Sequence, residues 1–259
     1  MYRKLYSYLF FFFLLSSCST HKISKPSSAL KPTFNVVEDS LNLVDVSRKR
    51  SVPVALYIPK SDQKITHQKV VIFSHGYYQN RRGSNKAYSY ITEKLASEGY
   101  FVASIQHELP TDDLIPSTGI PQLVRRPFWE RGAENIRFVI NELKKTNPDL
   151  DFKHIILIGH SNGGDMSMLF AHKYPNLVEK VISLDNRRMP FPRANHPKLY
   201  TLRSSDQVAD EGVLPTPEEQ VKYGVTIINL KNTIHNDMDN NANTAQRKEI
   251  NDYILKFLE

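Results

Sequence analysis

Residues 153–174 read KHIILIGHSNGGDMSMLFAHKY, and this stretch decides the fold. Residues 153–158 (KHIILI) suit a central strand, which residues 155–158 carry as an apolar run. Residues 165–174 follow with a helical pattern. Between them Gly159-His160-Ser161-Asn162-Gly163 spells G-x-S-x-G, and Gly164 comes next. A pentapeptide occurs by chance, so its setting on a sharp strand-to-helix turn is what gives it meaning. Larger side chains at the glycine positions would meet the neighbouring strand and helix. The turn lifts the Ser161 hydroxyl clear and sets it at a helix N-terminus, where peptide N–H groups stabilise developing negative charge. The blander reading is a structural turn with an idle serine.

Outward from this stretch the chain alternates strands and helices. Residues 52–58 alternate in polarity and suit an early antiparallel strand. Residues 69–74 (KVVIFS) and 100–106 (YFVASIQ) suit buried strands, with a helix over 86–98 ending near Gly99. Residues 109–127 carry four prolines and form an irregular cover over the active edge of the sheet. A helix follows over 129–145, with Ile136, Val139, Ile140 and Leu143 on one stripe. Further strands fall at 178–184, 199–202 and 226–230, and a closing helix at 244–258. This alternation predicts a three-layer α/β/α arrangement around a mostly parallel sheet. At 40% apolar residues the chain can bury a substantial core.

With its G-x-S-x-G motif in that setting, the chain resembles the α/β-hydrolase superfamily over residues 52–259. Within it the chain is similar to compact esterases and lipases of the dienelactone-hydrolase, chlorophyllase and platelet-activating-factor-acetylhydrolase type. The resemblance implies the α/β-hydrolase fold and a triad in the chain order serine, acid, histidine. Ser161 is then the nucleophile. His235 is the base, in a polar loop between the strand VTIINL and the last helix. Asp206 is the first candidate acid, a few residues beyond the strand KLYTLR. Asp185, which ends the strand VISLD, and Asp210 remain alternatives. His160 sits inside the motif and suits packing beneath it better than proton transfer. The oxyanion hole is expected from the backbone N–H groups of Asn162 and of Tyr77, the latter in the loop Ser74-His75-Gly76-Tyr77-Tyr78. This loop has a single glycine, which separates the chain from enzymes with an HGGG loop.

The implied chemistry is acyl transfer through an acyl-enzyme, with a carboxylic ester as the expected small-molecule substrate. No cofactor is implied, and no metal, since HExxH and similar zinc spacings are missing from the sequence. Residues that could face substrate are His75, Gly76, Tyr78, His107, Arg187 and Arg188. The clustered arginines suit a carboxylate or phosphate, or equally a solvated face. Peptidase, amidase, thioesterase and acyltransferase chemistry share the same triad. A non-catalytic binding protein that kept the fold is a further alternative.

The N-terminus reads as an address. Arg3 and Lys4 precede an apolar run over residues 5–15, and Leu15-Ser16-Ser17-Cys18 resembles the lipobox of bacterial lipoproteins. The expectation is a leader over residues 1–17, a lipidated Cys18 with a flexible tether over 18–33, and one domain over 34–259. The lipid would attach the protein to the bacterial cell envelope, at the outer membrane if the envelope is Gram-negative. Cys18 is the sole cysteine, so no disulfide forms within the chain. Net charge is +7, lowered by two when Arg3 and Lys4 leave with the leader. Without a recognition helix or an aromatic-basic repeat, this excess does not argue for nucleic acid. A monomer is expected.

Overall fold

The computed structural model describes Met1, residues 33–63 and residues 65–259. Except for Met1 and Thr33, the leader, Cys18 and the tether lie outside the described residues. Among the described residues, eight strands form one sheet: β1 (Asn35–Asp45), β2 (Arg50–Lys60), β3 (Lys69–Ser74), β4 (Phe101–Ile105), β5 (Asp151–His160), β6 (Lys180–Leu184), β7 (Lys198–Arg203) and β8 (Thr226–Asn229). Their order is β1-β2-β4-β3-β5-β6-β7-β8. β1 pairs with β2, and β2 with β4, antiparallel. All the other neighbours are parallel. Among the described residues, six α-helices accompany them: α1 (Ser89–Ser97), α2 (Pro121–Val124), α3 (Arg126–Thr146), α4 (Asn162–Lys173), α5 (Pro217–Tyr223) and α6 (Thr244–Leu258).

The apolar run of β5 serves both faces. Ile155 and Leu157 join a core with Trp129, Ala133, Ile136, Val139 and Leu143 of α3 and Met166 and Leu169 of α4. Ile156 and Ile158 point the other way, into a core with Ile91 and Leu95 of α1 and Ile250, Ile254 and Phe257 of α6. This alternation is the two-residue period of a strand. Each fully buried side chain of this size contributes about 1.5–3 kcal/mol before the entropy of ordering it is counted. The result is the three-layer α/β/α architecture around a mostly parallel sheet.

Several elements depart from the pattern reading. β1 was not expected. Its residues are largely exposed, and it is fixed by pairing along the whole of β2. α1 is shorter than 86–98, because residues Ser84–Lys86 form a separate 3-10 turn. The proline-rich cover is irregular as expected, apart from α2. α5 adds a short helix with a capping box between Thr216 and Glu219.

Candidate active site

The site lies where β5, β6 and the loop after β8 end on the same edge of the sheet, the edge at which parallel α/β sheets bind ligands. β5 stops at His160 and α4 starts at Asn162, so one residue makes the turn. Ser161 has φ 50° and ψ −117°, a conformation that a side-chain-bearing residue adopts only under constraint. The constraint comes from close packing on either side. A Cβ on Gly159 would lie 2.4 Å from the Gly163 carbonyl oxygen. A Cβ on Gly163 would lie 2.2 Å from the Ser74 carbonyl oxygen and 2.4 Å from that of His75. The turn therefore rests directly against the loop that follows β3.

The Ser161 hydroxyl lies 3.0 Å from His235 Nε2. On the other side of the ring, Nδ1–H donates to Asp185 Oδ2 at 2.6 Å. The carboxylate fixes the tautomer, which leaves Nε2 free to accept the serine proton. Asp185 is fully buried and its other contacts are polar. Ser204 donates its hydroxyl at 2.7 Å and its N–H at 3.1 Å, and Arg203 forms an ion pair at 2.8 Å. Burial pushes the Asp185 carboxyl up, but His235, Arg203 and Ser204 outweigh it and hold it below its ordinary value. Ser161, His235 and Asp185 thus form a Ser-His-Asp arrangement consistent with a serine hydrolase that works through an acyl-enzyme.

Asp206 is not the orienting acid. Its carboxylate accepts the backbone N–H of His235 at 2.7 Å. It therefore anchors the histidine loop from the solvent side, while Asp185 takes the ring. Asp210 is displaced further. It accepts from Gln122 Nε2 at 2.8 Å and lies 3.7 Å from Arg188. His160 packs beneath the turn, its ring centroid 4.6 Å from that of His235 and its Nδ1 2.6 Å from the Tyr88 hydroxyl. Burial, then the neighbouring His235, lower its pKa to about 3, which keeps it neutral.

The residues expected to face substrate divide into two groups. His75 and His107 are each 1% exposed and lie behind the loop rather than in front of it. His75 Nδ1 is 2.5 Å from the Gly76 carbonyl, and its Nε2 accepts the His107 N–H at 3.1 Å. His107 Nε2 pairs with the Ser74 hydroxyl at 2.9 Å. Tyr78 donates its hydroxyl to Asp239 at 2.5 Å, and the Gly76 N–H is directed at Tyr88. All four brace the loop. Arg187 and Arg188 stay half-buried on the loop that leaves Asp185.

Two functional side chains escape the sequence reading. Arg203 is the buried counter-charge of Asp185; a basic residue ending the apolar run of β7 is the signal for it. Glu108 is 1% exposed. Its Oε1 accepts from Asn162 Nδ2 at 2.9 Å, and Asn162 Oδ1 accepts from Trp129 Nε1 at 2.8 Å. The residue that follows the nucleophile is therefore clamped between the loop after β4 and α3. Burial raises the Glu108 carboxyl to about 7, against the pull of Arg131.

Two surface concavities among the described residues lie away from the triad. One of about 750 Å³ is lined by Arg48, Glu134 and Phe138, and one of about 670 Å³ by Pro53, Arg82 and Leu109. Neither includes a triad residue.

Known proteins agree with this architecture. The chain is 24% identical over 199 residues to an ethanol acetyltransferase of Cyberlindnera fabianii, covering 75% of this chain and 53% of that protein. It thus spans about half the length of that curated relative. Among solved structures, the Francisella virulence factor BioJ superposes with a TM-score of 0.62 at 14% identity, covering 87% of this chain and 85% of that one. The esterase Est22 superposes with a TM-score of 0.60 at 12% identity, covering 84% and 80%. Identities this low speak for the fold alone. A family model described as BD-FAE matches residues 54–196, more than half of the chain and including the β5 turn and Asp185. The chain belongs to the BD-FAE family.

Proposed function

We propose that this protein is a serine hydrolase that cleaves a carboxylic ester of a small acyl substrate. The observation that carries the proposal is the relay from Asp185 through His235 to the Ser161 hydroxyl, at 2.6 and 3.0 Å. Ser161 attacks the ester carbonyl as His235 Nε2 takes its proton. The backbone N–H groups of Asn162 and Tyr77 receive the oxyanion. Asn162 opens α4, so its N–H has no carbonyl in its own helix to bond. The Tyr77 loop is held against the same turn by Gly163. His235 returns the proton to the leaving alcohol. It then activates the water that releases the acid and restores Ser161.

The likeness to an ethanol acetyltransferase supports a second outcome at the same site. An alcohol in place of water would take the acyl group from Ser161 and give a new ester. The test is turnover of p-nitrophenyl butyrate with and without added ethanol, beside an aminoacyl p-nitroanilide. Ester hydrolysis that disappears in Ser161→Ala is expected. Ethyl butyrate among the products would assign transferase activity as well. Cleavage of the anilide alone would overturn the ester reading.

We further propose that the protein acts at the bacterial cell envelope, tethered by lipid on Cys18. Support comes from the charged start, the apolar run and the small residues before the sole cysteine. Among the described residues no helix is long and apolar enough to cross a membrane.

A further inference from the structure

The buried hydroxyl of Tyr88 touches three of the segments that complete the site. Tyr88 immediately precedes α1 and is fully buried. Its oxygen receives the Gly76 N–H at 3.2 Å and lies 2.6 Å from His160 Nδ1. Gly76 stands just before Tyr77, the oxyanion donor of the loop after β3, and His160 stands just before Ser161. The third segment is the loop after β8. The Tyr78 hydroxyl lies 3.3 Å from that of Tyr88 and donates to Asp239, which follows His235 in that loop.

The hydrogen bonds of this cluster run in one order. The Tyr78 proton goes to the Asp239 carboxylate at 2.5 Å, the shorter of its two contacts. The Tyr88 oxygen accepts from Gly76, and its own proton goes to His160 Nδ1. Burial raises the Tyr88 hydroxyl well above its ordinary value, so it keeps a proton to donate. His160, held neutral by burial, is able to accept it. The contact is also tight. A Cβ on Gly76 would lie 2.8 Å from His160 Nδ1 and 2.9 Å from the Tyr88 oxygen, so the oxyanion loop rests against these two side chains. The Tyr88 ring is held separately, with its centroid 5.0 Å from that of Phe73 and 5.5 Å from that of His160.

Strand pairing registers β3 against β5 as far as Ser74 and Gly159. Beyond that pair the Tyr88 hydroxyl spans the two chains. A developing oxyanion is stabilised only when its donors lie within hydrogen-bond distance of the place it will occupy. A misplacement of about 1 Å can cost about 10²-fold in rate. We propose that Tyr88 is a positioning residue, whose hydroxyl sets the Tyr77 donor against the Ser161 turn and fixes His160 beneath the ring of His235. This rests on the reading of Ser161 as the nucleophile of an ester hydrolase and of Tyr77 as an oxyanion donor.

The experiment compares the wild type with Tyr88→Phe, which removes the hydroxyl and keeps the ring in its packing. Circular dichroism and a thermal melt set a temperature at which both are folded. On p-nitrophenyl butyrate, kcat is expected to fall by about 10- to 100-fold while KM stays within about threefold. Trifluoromethyl propyl ketone, which adds to Ser161 and places an oxyanion in the hole, is expected to bind more weakly by a factor close to the fall in kcat/KM. A role in stability alone would lower Tm and leave both kcat and the affinity for the ketone unchanged. That result overturns the proposal, as does a rise in KM with kcat preserved. Should Tyr88→Phe not fold, Gly76→Ala decides, because its methyl group enters between the same two side chains. A fall in kcat of about tenfold or more is expected there, and an unchanged kcat in the folded variant overturns the proposal. A wild type that neither turns over an ester nor reacts with a fluorophosphonate removes the hydrolase reading and this one with it. An active wild type beside an equally active Tyr88→Phe removes this one alone.

Discussion

Asp185 holds His235 from a left-handed backbone position, φ 57°, that a residue with a side chain occupies only when its surroundings require it. Its ion pair with Arg203 and its two bonds from Ser204 supply that requirement. Asp185→Asn is therefore expected to lower kcat by about 10³- to 10⁴-fold, because the amide no longer fixes the histidine tautomer. Asp206→Asn, which changes a carboxylate that meets the His235 N–H and Gln207 but not the imidazole ring, is expected to cost about tenfold or less. Steady-state rates on p-nitrophenyl butyrate check both, and the reverse order would contradict the assignment. Ser161 and His235 are legible in the sequence because a short motif and the chain order point to them. The acid is not, because β6 and β7 each lead to an aspartate near His235. Only the paths of the two loops in space decide which carboxylate faces Nδ1.

Glu108 makes a second prediction at this scale, in the pH dependence of stability. Its carboxyl has an ordinary value of 4.5 and is raised to about 7 in the fold, so the folded state binds the proton more tightly than the unfolded chain. Its contribution is fully present below 4.5 and is lost as pH rises through about 7. The change amounts to about 3 kcal/mol. Denaturation of the wild type and of Glu108→Gln at about pH 5 and about pH 8 reads this directly. The wild type should lose stability relative to the variant on going to the higher pH. Parallel profiles would contradict it. Glu108 escapes sequence reading because one acid in QHELP looks like any loop carboxylate. Its burial and its bond to Asn162 arise only when the loop after β4 meets the start of α4.

At the scale of elements, the β5 turn and the loop after β3 behave as one unit. Gly163 joins them, with no room for a Cβ between its Cα and two backbone carbonyls. Backbone cannot swing aside as a side chain can, so Gly163→Ala must displace either the Ser161 turn or the loop after β3. The expected result is a loss of about 2–3 kcal/mol or more, a fall in Tm of about 5 °C or more, and loss of turnover. An unchanged Tm and rate would show that the two segments move independently. The buried strands were legible because their apolar runs are continuous. β1 was not, because an exposed edge strand carries little hydrophobic pattern and takes its register from β2. α5 was passed over for a related reason: it buries no residue. Its Thr216-to-Glu219 capping signal was nonetheless present in the sequence.

At the scale of the whole molecule, a rigid α/β/α sandwich presents one edge at which three separate chain segments complete the triad. The proposed lipid on Cys18 would tether the protein to a membrane. Cys18→Ala is expected to move the protein from the membrane fraction to the soluble fraction of cells, while retention in the membrane would count against lipid attachment. The central claim concerns the activated serine, and covalent labelling tests it most directly. The folded wild type treated with a fluorophosphonate should gain one adduct, mapped by mass spectrometry to Ser161 and missing in Ser161→Ala. A folded wild type that takes up no label, or that is labelled equally well in Ser161→Ala, would contradict the account.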